Sequence, residues 1–242
     1  MKNYKIILIV LISILILTNV TFFIFGEINL SEINLTSTDP SIIGSNENGT
    51  VHKYILGNNS TNDTVVIILG VHNLESGIHN TTNQTLHDLN KSLTKKYIVY
   101  FIDIDESKVS QNSQKYNMTN YTANRNMGET LGSQFVIEDI PQYNPSLVLD
   151  IHEMEEYYDN TTFILPISTD NISMEIGREI ANNMNMEFHS TYNYGSSPEY
   201  ITGPLADKGI TTVIFEVNQS YTPEIKLDYS NRLIQTIDGL NI

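Results

Sequence analysis

Val65-Val66-Ile67-Ile68-Leu69-Gly70-Val71-His72-Asn73-Leu74-Glu75 is the stretch from which the rest of this chain is read. Five apolar residues without polar alternation predict a strand buried on both faces. Gly70 ends the run, and a loop carrying His72 and Glu75 follows. A histidine and a carboxylate three residues apart can close on one metal ion. The C-terminal ends of strands in α/β sheets are where sites form. One more histidine from far downstream would complete a two-His, one-carboxylate set with an open position. That is the pattern of a catalytic zinc site, not a structural one. The spacing alone is weak evidence, since His152 and Glu155 repeat it.

Further blocks alternate along the chain. Tyr97–Ile102, Leu147–Ile151, Thr162–Pro166 and Thr211–Val217 are short and rich in β-branched or aromatic residues, which predicts strands. Thr81–Leu93 and Ser173–Met184 place apolar residues at helical spacing, and Gly128–Val136 suggests a further helix. Strands separated by helices predict an α/β, three-layer sandwich with a mixed, mostly parallel central sheet. The 242 residues suffice for one sizeable core.

Composition narrows the chemistry. The formal net charge is -15, from 13 basic and 28 acidic side chains, with no basic stripe. Nucleic acid, whose binding needs Lys and Arg to displace counterions, is therefore set aside as a partner. There are no cysteines. Disulfides, Cys-ligated zinc and a Cys nucleophile are excluded, and any metal must be held by His, Asp or Glu.

The N-terminus reads Met1-Lys2-Asn3-Tyr4-Lys5 and then an uncharged, almost wholly apolar run from Ile6 to Phe25. As a helix that run spans roughly 30 Å, the hydrocarbon thickness of a bilayer. Lys2 and Lys5 before it and Glu27 after it predict a single-pass anchor with the rest of the chain extracytoplasmic. A cleaved signal peptide is the rival reading. It is disfavoured by the length of the run and by the bulky Phe22-Phe23-Ile24-Phe25 where small residues would be needed. The expected organisation is an anchor over 1–26, a polar stalk over 27–50 and a folded domain over 51–242.

Four further features carry chemistry. His152 ends the strand Leu147–Ile151, with Asp150 two residues back on the same side, placed to take a ring proton from a ligand histidine. Glu216 is embedded in the apolar Thr212-Val213-Ile214-Phe215-Glu216-Val217, where burial raises a carboxylate toward the range of a general base. The competing reading is an edge strand with Glu216 facing water. Arg125, in Ala123-Asn124-Arg125-Asn126, offers a planar fork suited to a carboxylate and is read as lying in a loop. It is one of only three arginines, with Arg178 and Arg232. His79 and His87 fall in a polar segment and are read as solvated helix residues.

The order His72-x-x-Glu75, Asn124-Arg125, His152, Glu216 resembles the zinc carboxypeptidase superfamily, including its aspartoacylase/succinylglutamate desuccinylase branch. The resemblance covers roughly residues 64–217 and extends to Tyr194-Gly195-Ser196, similar to the stretch that carries the family's mobile tyrosine. It implies one zinc ion per chain held by His72, Glu75 and His152, with Glu216 activating water. It also implies Asn124 and Arg125 on a substrate carboxylate and Tyr194 closing over the substrate, with Tyr192 or Tyr200 as alternates. The implied substrate is a peptide or an N-acyl amino acid with a free carboxylate. The implied activity is a carboxypeptidase-like metallopeptidase, with cell-wall peptides suggested by the topology, or a deacylase. A non-catalytic binding module that retains the fold is the reading from another class. It is disfavoured because the three ligands and the base occur together.

The chain departs from the family in two places. No arginine lies between Glu75 and Asn124 to stabilise an oxyanion, which leaves Lys108 or Lys115 for the role, and Leu74 stands where a polar residue is common.

Overall fold

The structure, a computed structural model, describes residues 39–155, 161–168, 170–190 and 198–242. Eight strands form one sheet: β1 (Ser41–Asn46), β2 (Gly49–Gly57), β3 (Thr64–Leu69), β4 (Lys96–Ile104), β5 (Leu147–Met154), β6 (Phe163–Pro166), β7 (Glu187–Phe188) and β8 (Thr212–Asn218). Their order across the sheet is β1-β2-β4-β3-β5-β8-β6-β7. The centre β4-β3-β5-β8 is parallel, and β2 on one side and β6 on the other run antiparallel to it. Five helices of two or more turns accompany the sheet: α1 (Ser76–Leu89), α2 (Val109–Tyr116), α3 (Asn120–Leu131), α4 (Asn171–Met184) and α5 (Pro223–Gly239).

The expected three layers follow from the burial pattern. Every residue of β3 and β5 is buried. Val65, Ile67 and Leu69 pack on one face with residues of α1, α4 and α5. Val66 and Ile68 pack on the other with Met127 and Leu131 of α3. Side chains that alternate across a strand thus feed two cores, which explains the unbroken apolar runs.

Local signals set the helix ends. Thr119, Asp170 and Thr222 accept hydrogen bonds from the third backbone N–H beyond them and cap α3, α4 and α5. Asn117 and Asn185, left-handed at φ 51° and 53°, close α2 and α4.

Several expectations are corrected. The stretch read as a stalk to residue 50 contains β1 and the start of β2, so the sheet begins earlier than the expected boundary. The expected helix Thr81–Leu93 runs Ser76–Leu89. The helix expected from Gly128 begins at Asn120 instead, and Gly132–Val136 continues it as one wide turn. Asn124 and Arg125 therefore lie on a helix and not in a loop. Among the described residues no helix is long and apolar enough to cross a membrane. The run Ile6–Phe25 lies outside the described residues.

Candidate metal centre

The site forms where β3, β5 and β8 end, and Gly70 makes its first turn possible. Its φ is +83°, and a Cβ there would meet the Ile102 carbonyl oxygen at 2.2 Å, so only glycine fits. The chain then enters a short 3-10 turn, Asn73–Glu75, whose first hydrogen bond runs from Glu75 N to the His72 carbonyl at 2.9 Å. That turn closes the three-residue spacing and brings His72 Nδ1 to 2.9 Å from Glu75 Oε1.

His152 arrives from β5, where its Nδ1 lies 2.8 Å from Glu75 Oε2. The donor atoms of His72, Glu75 and His152 all fall within 4.8 Å of one another. All three side chains are buried. This is the one such group of three among the described residues. Asp150 sits where the strand alternation predicts, with Oδ1 3.0 Å from His152 Nε2.

Glu216 is directly opposite His152 in the β5–β8 register, and Phe163 of β6 lies on its other side. An edge strand is thereby excluded. Its Oε2 is buried without a hydrogen-bond partner. Burial, together with the charges of Glu75 and Asp150 and against those of His152 and Arg125, pushes its carboxyl up to about 8. Burial works against the charge of Glu75 as well, yet His72 and His152 hold it well below the usual carboxylate range. For His152, burial is outweighed by Asp150 and Glu75, which keep the imidazolium favoured well above the ordinary histidine range.

α3 supplies the remaining groups. Arg125 Nη1 lies 3.1 Å from Glu75 Oε1, with the guanidinium carbon 5.7 Å from the Tyr121 ring centre. Asn124 is buried, and its Oδ1 has no hydrogen-bond partner among the described residues. The structure thus brings His72, Glu75, Arg125, His152 and Glu216 to one end of the sheet, with Asn124 next to Arg125 on α3. Tyr194 and Tyr192 lie outside the described residues, and Tyr200 is exposed. Of the two candidate cations, Lys115 is turned toward Glu47 at 3.4 Å.

Four neighbours of the site escape a sequence reading. Glu129, also on α3, places Oε1 3.1 Å from His72 Nε2. Recognition of the helix would have exposed it, since it stands one turn beyond Arg125. Glu153 and Lys226 form a buried pair at 2.7 Å. Glu153 also accepts the Ile78 N–H at 2.6 Å, and its own N–H reaches Glu75 Oε2 at 3.2 Å. His79, read as solvated, is buried, with Nε2 2.8 Å from the Ile151 carbonyl oxygen.

The donor set fits a divalent cation. Two imidazole nitrogens and a carboxylate converge, in the proportion of a catalytic zinc site, and the proton favoured on His152 would leave as an ion binds. Glu75, Glu129 and Asp150 crowd a space in which, among the described residues named here, Arg125 and the His152 imidazolium are the cations, with Glu216 favoured neutral, so one negative charge is left in excess. A dipositive ion would offset that excess.

No protein-family model matches the sequence, and comparison with curated proteins finds no match. Solved structures do match. A succinylglutamate desuccinylase/aspartoacylase from Rhodobacter sphaeroides superposes with a TM-score of 0.55 and 13% identity, covering 85% of this chain and 66% of that one. A metallo-carboxypeptidase from Burkholderia cenocepacia gives 0.53 and 10%, covering 84% and 65%. The tripeptide-bound cell shape determinant Csd4 of Helicobacter pylori gives 0.52 and 12%, covering 77% and 54%. The chain therefore shares its fold with metallo-carboxypeptidases and with succinylglutamate desuccinylase/aspartoacylase proteins. It spans between about half and two thirds of the length of these proteins.

Proposed function

We propose that this protein is a zinc-dependent hydrolase that cleaves an amide bond next to a free carboxylate, acting outside the membrane that its N-terminal run anchors it to. The observation that carries the catalytic part is the convergence of His72, Glu75 and His152 beside Glu216, on a scaffold shared with metallo-carboxypeptidases and desuccinylases. The anchor rests on the apolar run and its flanking charges alone.

His72, Glu75 and His152 would hold the ion, which when bound supplies Lewis acidity toward the scissile carbonyl and acidifies water. Glu216 takes a proton from the attacking water and delivers it to the leaving nitrogen. The apolar surroundings that favour its neutral form make it a ready acceptor and donor near neutral pH. Asn124 and Arg125 bind and orient the substrate carboxylate, Arg125 by its two-pronged fork. A peptide and an N-acyl amino acid both present that carboxylate, and proteins of both kinds share the fold.

The test is metal analysis and turnover on the purified full-length chain. About one zinc per chain is expected, together with release of amine from C-terminal peptides, wall peptides or N-acyl amino acids. Glu216→Gln should retain the zinc and lose turnover by about two orders of magnitude. A chain that takes up no zinc, or a Glu216→Gln variant as active as the wild type, sinks this reading.

A further inference from the structure

Glu129 is a buried carboxylate in the middle of α3, 2% exposed, and the chemistry proposed above gives it no part. Burying a charge is costly unless a partner or a task offsets it. Its Oε1 lies 3.1 Å from Nε2 of His72, the ring nitrogen that faces away from Glu75. His72 is thus held at both ends, by Glu75 at Nδ1 and by Glu129 at Nε2.

His152 is flanked in a similar way, hydrogen-bonded to Glu75 at Nδ1 and with Asp150 Oδ1 at ion-pair distance, 3.0 Å, from Nε2 but outside hydrogen-bond geometry. Both Nδ1 atoms lie against the Glu75 carboxylate, one at each oxygen, and each Nε2 has a second carboxylate close by. The two outer carboxylates have different origins. Asp150 comes from the same strand two residues away, whereas Glu129 comes from a helix 57 residues along the chain.

The helix is built to deliver it. Arg125 and Glu129 stand one turn apart on the same face. Arg125 reaches Glu75 and Glu129 reaches His72, so α3 sets two opposite charges against the two ends of the His-x-x-Glu turn. The approach depends on Gly128, where a Cβ would lie 2.0 Å from the Val71 carbonyl oxygen. A glycine directly before Glu129 lets the helix come close enough for that side chain to touch the ring.

We infer that Glu129 is a positioning residue for His72: it accepts the hydrogen bond from Nε2–H and so fixes the tautomer and ring orientation that present the Nδ1 lone pair to the metal. The inference rests on the zinc reading above and deepens it. Loss of such an outer partner typically weakens metal binding by about 10- to 100-fold.

The experiment measures zinc affinity by chelator competition for the full-length wild type, Glu129→Ala and Glu129→Gln. It adds nitrogen-15 NMR of the His72 ring in the zinc-loaded proteins. Glu129→Ala should bind zinc about 10- to 100-fold more weakly, and Glu129→Gln, which keeps an oxygen acceptor, should fall between. In the zinc-loaded wild type the ligating nitrogen of His72 should be Nδ1, with an Nε2 proton that exchanges slowly. In Glu129→Ala that proton should exchange quickly.

Equal zinc affinity in Glu129→Ala, ligation through Nε2, or a freely exchanging Nε2 proton in the wild type each overturns the inference while leaving the zinc reading intact. A wild type that binds no zinc overturns both. Should Glu129→Ala fail to fold, the wild-type ring spectrum and Glu129→Gln decide.

Discussion

Gly128→Ala is a one-methyl change that should damage the metal centre without touching any ligand. The added carbon would sit 2.0 Å from the Val71 carbonyl oxygen, and that atom is backbone, so no rotamer change relieves it. Reaching ordinary contact at 3.4 Å requires α3 and the segment before His72 to part by about 1.4 Å. The Arg125–Glu75 and Glu129–His72 contacts, both 3.1 Å, span that same seam and would open beyond 4 Å.

Overpacking of this kind costs about 1–3 kcal/mol. The separated charges add to it, and the gain in helix propensity from Gly to Ala returns about 1 kcal/mol. A net loss of about 2 kcal/mol lowers Tm by about 4–8 °C for a domain of this size. Zinc affinity should fall at least about tenfold, because the partners of both His72 and Glu75 retreat. The control is Gly239→Ala, at the end of α5, where a Cβ meets nothing within 4 Å and the change should be neutral or slightly stabilising. Thermal melting and chelator competition read both effects. A Gly128→Ala protein that melts with the wild type and holds zinc as tightly would refute the reasoning.

Two further outcomes are expected. Burial pushes His79 down to about 4, against about 6.5 in an unfolded chain. The unfolded state therefore gains a proton first as pH falls, and stability is constant above pH 6.5 and drops by about 3 kcal/mol between 6.5 and 4. Denaturant titrations of wild type and His79→Gln across that window should diverge by about this amount; parallel curves would argue against it. Lys226→Met strands the buried Glu153 carboxylate and should destabilise by about 3–5 kcal/mol, with most of the loss recovered in the Glu153→Gln/Lys226→Met double variant. No recovery in the double variant would mean that the lysine acts through packing alone.

What could be read in advance follows from where burial falls. β3, β5 and β8 are covered on both faces, so their sequences are continuous apolar runs. His72, His152 and Glu216 could be placed because each closes or interrupts such a run. β2 hides its nature, since most of its residues, such as His52, Lys53 and Tyr54, are only half-buried and no clean alternation results. β7 is two residues long and has no pattern to offer.

α3 was illegible for a different reason. Asn120, Thr122, Asn124, Asn126 and Gly128 are poor helix formers, and the segment reads as a loop by propensity. The Thr119 cap and the burial of Met127 and Leu131 against β3 and β4 override that preference. With the helix unseen, Glu129 could not be set beside Arg125. The pairing of Glu153 with Lys226 joins residues far apart in sequence, and nothing local announces it.

The placement of Asn124 and Arg125 on a capped helix bears on which molecules the site can distinguish. A loop can stretch to meet a carboxylate at various distances; a helix wedged by Gly128 against Val71 cannot. The gap between the guanidinium and the histidine pair becomes a fixed ruler. On the hydrolase reading proposed above, such a site would sort candidates first by the number of bonds between the charged end and the scissile carbonyl, and only afterwards by the side chains they carry.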